Sequence, residues 1–259
     1  MLLSIITATY NRVNLLKKNY FFLKRNKNSF NFEWIIVCEE NDHKTVKFLN
    51  KIRNEKFIKV IKGKFQSADK AYVCGFRKAK GKYLNIHGDD DFFVQNTFGT
   101  LEKYLVLDKE WIIGQADYLN NNFKKIRPLT TFVKNFLLRN FNKKILLIIN
   151  FVMTPSIFFK KKIIKKVGGY DNDILYGSDY IFWLKFNKLY TPLTVQENLS
   201  NVIFNSKTKT GTFDLKRYLV FSKKMKQYST GYLIRMFQVI SLFLIIVINF
   251  ILKKILKTY

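Results

Sequence analysis

Tyr83-Leu84-Asn85-Ile86-His87 runs directly into Gly88-Asp89-Asp90-Asp91, and the reading of this junction decides the fold. The first five residues have a strand-like pattern. The three carboxylates that follow repel one another and are easiest to keep ionised with positive charge among them. A divalent cation carrying a diphosphate is one such partner, because hard oxygen ligands suit Mg²⁺ or Mn²⁺. A solvated turn is the plain alternative for Asp and Gly, and the surrounding sequence has to choose between the two.

Outward from this junction, strands and helices alternate. Leu2 to Thr7 reads as a buried strand, Leu15 to Lys24 as a helix, and Trp34 to Cys38 as a second strand. His43 to Asn54 reads as a helix, Phe57 to Ile61 as a third strand, and Ser67 to Lys80 as a helix with Ser67 as N-cap. Tyr83 to His87 is then the fourth strand, followed by a helix over Thr97 to Leu107 and a strand over Trp111 to Tyr118. This rhythm predicts an α/β domain with a mostly parallel central sheet flanked by helices. Ligands of such sheets bind at the carboxyl ends of strands, where Tyr10 to Arg12, Glu39 to Asp42 and Asp89 to Asp91 should converge. Beyond, Thr130 to Phe151 reads as one helix, Ser156 to Phe159 as a strand, and Lys161 to Val167 as a short helix closed by Gly168-Gly169. A further helix starts near Ser178 or Asp179, and its dense run Tyr180 to Leu184 predicts burial on most sides.

The chain has 259 residues, 46 basic against 18 acidic, and a formal net charge of +28. Such a balance invites a nucleic-acid reading. Two features weigh against it: the basic residues are mostly Lys, whereas Arg dominates bidentate base readout, and they are spread along the chain. A basic surface equally attracts anionic headgroups and sugar diphosphates. Cys38 and Cys74 are the only cysteines, which gives no disulfide framework and predicts reduced thiols in a cytoplasmic setting. His43 and His87 do not make a zinc motif, and the first residues do not read as a signal peptide. There is no G-x-G-x-x-G and no G-x-S-x-G.

Four blocks, in order, resemble glycosyltransferase family 2, the inverting nucleotide-sugar enzymes with a GT-A fold. They are Ser4 to Arg12, Trp34 to Glu39, Ala79 to Leu84 running into Gly88-Asp89-Asp90-Asp91, and Gly168-Gly169-Tyr170-Asp171 followed by Gly177 to Leu184. The resemblance spans roughly residues 1 to 210 of the one domain expected at this length. It implies a GT-A domain over residues 1–215 and leaves residues 216–259 as a C-terminal helical segment. It implies a donor site containing Thr7, Tyr10, Arg12, Glu39 and Asp90, with Mn²⁺ or Mg²⁺ on Asp89 and Asp91 or on Asp90 and Asp91. It makes Asp179 the general base.

The sequence departs from the family pattern at several points. Cys38-Glu39 stands where two aspartates are usual, Ala71-Tyr72-Val73 replaces A-R-N, Gly88 occupies a position often held by Asp, and Ser178 replaces the Glu of an E-D pair. By the same resemblance a nucleoside-diphosphate sugar is the donor. The metal stabilises the departing diphosphate, with Lys207 and Lys209 as candidate assistants. The acceptor hydroxyl needs a base, since its own pKa lies far above 7. Asp179, at a helix N-terminus, is favoured in its ionised form; helix capping alone is the competing role. Asp171 reads equally as a loop-stabilising residue or an acceptor contact, Asp117 after its strand is open in the same way, and Trp183 reads as core and not as a sugar platform.

The run Met236 to Leu252 carries no charge and is flanked by Arg235 and Lys253-Lys254. As a helix it is about 26 Å long, short of a ~30 Å hydrocarbon core. Arg235, Gln238, Ser241, Asn249 and Lys253 share one side. This pattern predicts an interfacial helix or a short tilted anchor at the inner face of the cell membrane, with Lys257 among the residues meeting anionic headgroups; a buried docking helix is the alternative. The expected partners are therefore the donor, a glycan or lipid-linked acceptor and the membrane surface, and not nucleic acid. A non-enzymatic basic binding protein and a nucleotidyltransferase are the rival classes.

Overall fold

Apolar and β-branched runs at even spacing produce the first four strands where the sequence predicts them: β1 (Leu3–Thr9), β2 (Phe32–Glu39), β3 (Ile58–Gly63) and β4 (Tyr83–Ile86). The structure, a computed structural model, describes residues 1–171, 177–204, 215–229 and 231–255. Lys207, Lys209 and Lys257 lie outside the described residues. The intervening helices are α1 (Val13–Asn26), α2 (His43–Ile52) and α3 (Ala68–Lys78), the last capped by the Ser67 side chain, which accepts from the Lys70 amide. Then follow β5 (Asp91–Phe93), α4 (Thr97–Leu105), β6 (Trp111–Leu119) and β7 (Lys125–Ile126). The second half contributes α5 (Pro128–Arg139), α6 (Lys143–Ile148), β8 (Ile157–Lys160), α7 (Ser178–Leu189), β9 (Leu193–Ile203), α8 (Leu215–Lys226) and α9 (Tyr232–Ile255).

The strand order is β3-β2-β1-β4-β8-β6-β9-β5, with β7 paired to β6. The β1–β2, β2–β3, β1–β4 and β6–β9 pairs are parallel, whereas β4–β8, β6–β8, β5–β9 and β6–β7 are antiparallel. The expected mostly parallel sheet is thus corrected to a mixed one. The physical cause is β8, which enters reversed between β4 and β6 after a tight turn at Thr154–Ser156. Strand alternation sends Ile6 and Ile5 of β1 to opposite faces. Ile6 joins a core with Phe76, Trp111, Phe159, Phe182 and Trp183, and Ile5 joins one with Leu16, Trp34, Leu49, Phe98 and Phe158.

Two further expectations are adjusted. The single helix over Thr130 to Phe151 is two, because Asn142 N-caps α6 by accepting from the Lys144 and Ile145 amides. Lys161 to Val167 is a 3₁₀ turn over Lys161–Ile163 followed by Gly168 and Gly169, both at positive φ. In α7, Tyr180 to Leu184 are all buried, as the dense apolar run requires. The C-terminal run is helical, but no helix among the described residues is long and apolar enough to cross a membrane.

Candidate active site

The carboxyl ends of β1, β2 and β4 bring three polar turns together. After β1, the chain turns at Asn11, whose φ of 56° places it in the left-handed region that Asn tolerates. Its amide donates to Asp42 Oδ2 at 2.6 Å, and Asp42 also caps α2 through the Thr45 amide at 3.1 Å. Burial would raise the Asp42 pKa, but hydrogen bonds from Thr45 and the Asn11 amide outweigh it and hold the carboxyl below its usual range. This tie fixes the turn so that the next side chain, Arg12, reaches the acidic loop.

Arg12 Nη1 lies 3.1 Å from Asp89 Oδ1 and 2.5 Å from Asp90 Oδ2. Thr9 Oγ1 donates to Asp89 Oδ2 at 2.9 Å, and Asn19 Nδ2 donates to the Asp89 carbonyl at 3.2 Å. Asp91 turns back on its own loop, with Oδ2 accepting from the Gly88 amide at 2.8 Å. Gly88 permits this fold: a Cβ there would stand 2.7 Å from Asp91 Oδ2 and 2.9 Å from Asp90 Oδ1. Asp89 is buried and Asp91 half-buried, while the Asp90 side chain keeps 22% exposure. The expected metal pair therefore consists of the two inner carboxylates. The two carboxylates that share a cation position are Asp89 and Asp90, with the Arg12 guanidinium in it.

The loop is short of positive charge even so. Burial and repulsion from Asp90, opposed by Arg12 and Thr9, push Asp89 up to about 6. Burial, followed by Asp90 and Asp89, raises Asp91 well above the carboxylate range. Tyr72, at the position of the family's Arg, faces the same loop: burial first, then Asp91, Asp89 and Asp90, drive its phenol well above the usual value. An oxygen-only donor set with unbalanced negative charge fits a hard divalent ion. Among the described residues, no group of three or more His, Cys, Asp and Glu side chains is arranged to hold a metal by itself. Remaining coordination would have to come from a diphosphate or water.

Asp179 is the second residue of α7, after Ser178 and the N-cap Gly177, whose φ is 71°. Its Oδ2 accepts from Thr154 Oγ1 at 2.6 Å and its Oδ1 from the Tyr180 amide at 2.8 Å. Thr154 also accepts from the Trp183 indole at 3.2 Å, so a buried tryptophan fixes the hydroxyl that aims the carboxylate. The buried Asp69 of α3 accepts from Ser178 Oγ at 2.9 Å and from Tyr170 OH at 3.2 Å, pinning the start of α7 to α3. The Tyr170 phenol is raised well above its usual value by burial and then by Asp69 and Asp179, and its ring lies 6.4 Å from that of Tyr72. Tyr72 thus feels the carboxylates of the acidic loop, and Tyr170 beside it those of Asp69 and Asp179.

Other expected residues are placed less openly. Thr7 is buried and accepts from the Trp34 indole at 2.9 Å, so the structure keeps it in the sheet, and Thr9 takes the contact with the acidic loop. Glu39 accepts from the Phe65 amide at 3.0 Å and the Gln66 amide at 2.6 Å, closing the turn after β3. Tyr10 is exposed at the cleft edge. The Cys38 thiol is buried and pushed up to about 12 by burial and then by Asp42 and Glu39, so it brings no charge to the site. Asp171 is bound by Lys185 at 2.6 Å, and Asp117 by Lys125 at 2.7 Å. Sequence reasoning missed Thr9, Asp69 and Thr154 as site-building residues, and met Tyr72 only as a departure from the family pattern. Ser67, read as the start of α3, was the signal that could have placed Asp69 at a helix N-terminus.

The family model described as Glycosyl transferase family 2 matches residues 4–168. An uncharacterized glycosyltransferase of Methanocaldococcus jannaschii is 25% identical over 197 residues, which cover 71% of this chain and 64% of that protein. Among solved structures, S. aureus TarS 1-349 in complex with UDP-GlcNAc superposes with a TM-score of 0.69 at 14% identity, covering 86% of this chain and 65% of TarS 1-349. A second structure of S. aureus TarS 1-349 gives 0.68 at 13% identity, covering 92% of this chain and 71% of that one. At these identities the likeness to TarS is one of fold. The chain spans just under two thirds of the length of the archaeal relative and of the UDP-GlcNAc-bound TarS fragment.

Proposed function

The chain belongs to glycosyl transferase family 2, and on that premise we propose that it is an inverting hexosyltransferase that passes a sugar from a nucleoside-diphosphate sugar to an acceptor hydroxyl of a cell-surface or lipid-linked glycan. TarS binds UDP-GlcNAc, and a UDP-sugar is the donor class we propose here. The observation that carries the reading is the Arg12 guanidinium between Asp89 and Asp90, on a loop whose inner carboxylates still lack charge balance.

Arg12 would bind the diphosphate end of the donor, the Asp89–Asp90 pair would meet it only through a cation, and Tyr10 would border it. Mn²⁺ or Mg²⁺, held by Asp90 and Asp89 with Asp91 buttressing the loop, would supply positive charge to the departing diphosphate. Thr154 and Trp183 hold Asp179 in one orientation. From there the carboxylate takes the proton of the acceptor hydroxyl as the acceptor oxygen bonds to the anomeric carbon. The anomeric bond to phosphate breaks on the opposite face, and the nucleoside diphosphate leaves with the electron pair.

Donor and metal should bind cooperatively, because each neutralises the other at a loop that is strained by like charge when empty. Calorimetric titration of UDP-sugars is expected to give tighter binding with Mn²⁺ than with a chelator. Equal affinities under the two conditions would remove the metal from the account. Localisation at the inner face of the membrane, through the C-terminal segment, belongs to the same proposal and leads to a more specific one.

A further inference from the structure

Helix α9 is docked with its polar side inward. Gln238 is buried, and its Nε2 donates to the Leu147 carbonyl at 2.9 Å; Ser241 Oγ donates to the Ile148 carbonyl at 2.7 Å. These are carbonyls at the end of α6, where a helix leaves acceptors without intrahelical partners. Arg235 donates to the Ser222 carbonyl and hydroxyl of α8, both at 3.0 Å, and Ser229 Oγ donates to Gln238 Oε1 at 2.7 Å. Arg235, Gln238 and Ser241 of the polar stripe are therefore engaged by the protein.

The opposite side of α9 carries Leu233, Met236, Phe237, Ile240, Phe243 and Leu244, all exposed, with Leu233 at 65% and Phe243 at 62%. A water-facing helix normally has the reverse arrangement. A contiguous apolar face of this kind marks an interaction surface. It extends about 17 Å, from Leu233 to Leu244 at ~1.5 Å per residue.

We propose that this face lies on an anionic lipid bilayer, and that the acceptor is accordingly lipid-linked. Charge complementarity selects the occupant. From Leu215 to Tyr259 the sequence has nine basic residues and no acidic one. Lys223, Lys224 and Lys226 stand in the last turn of α8, which packs against α9. A second copy of a chain of net charge +28 would bring like charge to the same face. No helix among the described residues is long and apolar enough to cross a membrane, and the proposed contact is with the bilayer surface.

The link to the site is direct. The α6 segment that receives α9 also accepts, through the Leu146 carbonyl, a 2.5 Å hydrogen bond from Tyr180 OH, and Tyr180 follows Asp179. A bilayer under α9 is one helix layer from the start of α7, where a lipid-linked hydroxyl would be presented. The choice of acceptor rests on the transferase reading; the bilayer contact does not.

The test is co-sedimentation of the full chain with vesicles of phosphatidylglycerol and phosphatidylethanolamine, or of phosphatidylcholine alone. Wild type is expected to bind the anionic vesicles more strongly. Phe237→Glu/Ile240→Glu/Phe243→Glu is expected to lower that partitioning at least about 100-fold, since three apolar side chains lose their burial. Its melting temperature, its elution as a monomer and its donor binding should match wild type. Val106→Glu/Leu107→Glu, at exposed apolar positions after α4, should leave vesicle binding unchanged.

Failure of wild type to bind anionic vesicles, or undiminished binding by the triple variant, would overturn the proposal. A wild-type dimer split by the triple variant would assign the face to a second copy, and unfolding of that variant would assign it to the core. Vesicle binding by a protein that binds no donor would leave the surface standing and remove the transferase reading instead.

Discussion

Asp179→Asn is expected to lower sugar transfer on the order of 10²-fold or more while leaving donor affinity close to wild type. The amide keeps the shape of the carboxylate and can still accept from Thr154 Oγ1, which lies 2.6 Å from Asp179 Oδ2. It cannot take up the acceptor proton. The loss should therefore appear in turnover, with little change in the donor dissociation constant. Turnover near wild type would move the base elsewhere. Asp171, the carboxylate of the Gly168-Gly169-Tyr170-Asp171 block, is an unpromising substitute because Lys185 binds it at 2.6 Å.

Asp90→Ala is expected to produce the second large effect, a fall in Mn²⁺-dependent turnover on the order of 10²-fold, with weakened donor binding in Mn²⁺. Asp90 combines an open side chain with direct contact to the Arg12 cation. Asp91→Asn should behave differently. Asp91 Oδ2 is committed to the Gly88 amide, so its loss should act first on the folding of the loop. Thermal melting and steady-state kinetics on the two variants separate a ligand from a buttress. If Asp90→Ala retains full metal-dependent activity while Asp91→Asn loses it without a change in melting, the inner pair is the metal site.

The parallel half of the fold was legible because each of its strands is a run of apolar residues that ends in a polar turn. Convergence of Arg12, Asp42 and Asp89 followed from that pattern and from the rule that ligands meet strand carboxyl ends. The second half resisted for local reasons. In β9 the sequence Leu193 to Ile203 includes Glu197 and Asn198, and its register against β6 shifts around Gln115, so no clean alternation is visible. Strand β5 has three residues, too few for a periodicity. The break between α5 and α6 was written in Asn140 and Asn142, yet the apolar run on either side masked it.

The site was legible as a set of acidic positions and not as a geometry. Which of three adjacent aspartates faces the cleft depends on the Gly88 turn and on Thr9, not on the string Asp89-Asp90-Asp91 itself. Asp69 and Thr154 were invisible for a different reason. Their partners, Ser178 and Asp179, are 109 and 25 residues away in sequence, and only the packing of α3 and the Thr154 turn against α7 brings them together. For the tail, the sequence showed the polar stripe on α9, and the structure added the direction in which it points.

The most direct test of the central claim is identification of the nucleotide released when the purified chain turns over nucleoside-diphosphate sugars with Mn²⁺. Phosphorus NMR of the reaction should show the nucleoside diphosphate appearing, and a chelator should stop it. Pyrophosphate as the product, or nucleoside-diphosphate release that persists unchanged in the chelator, would contradict the account.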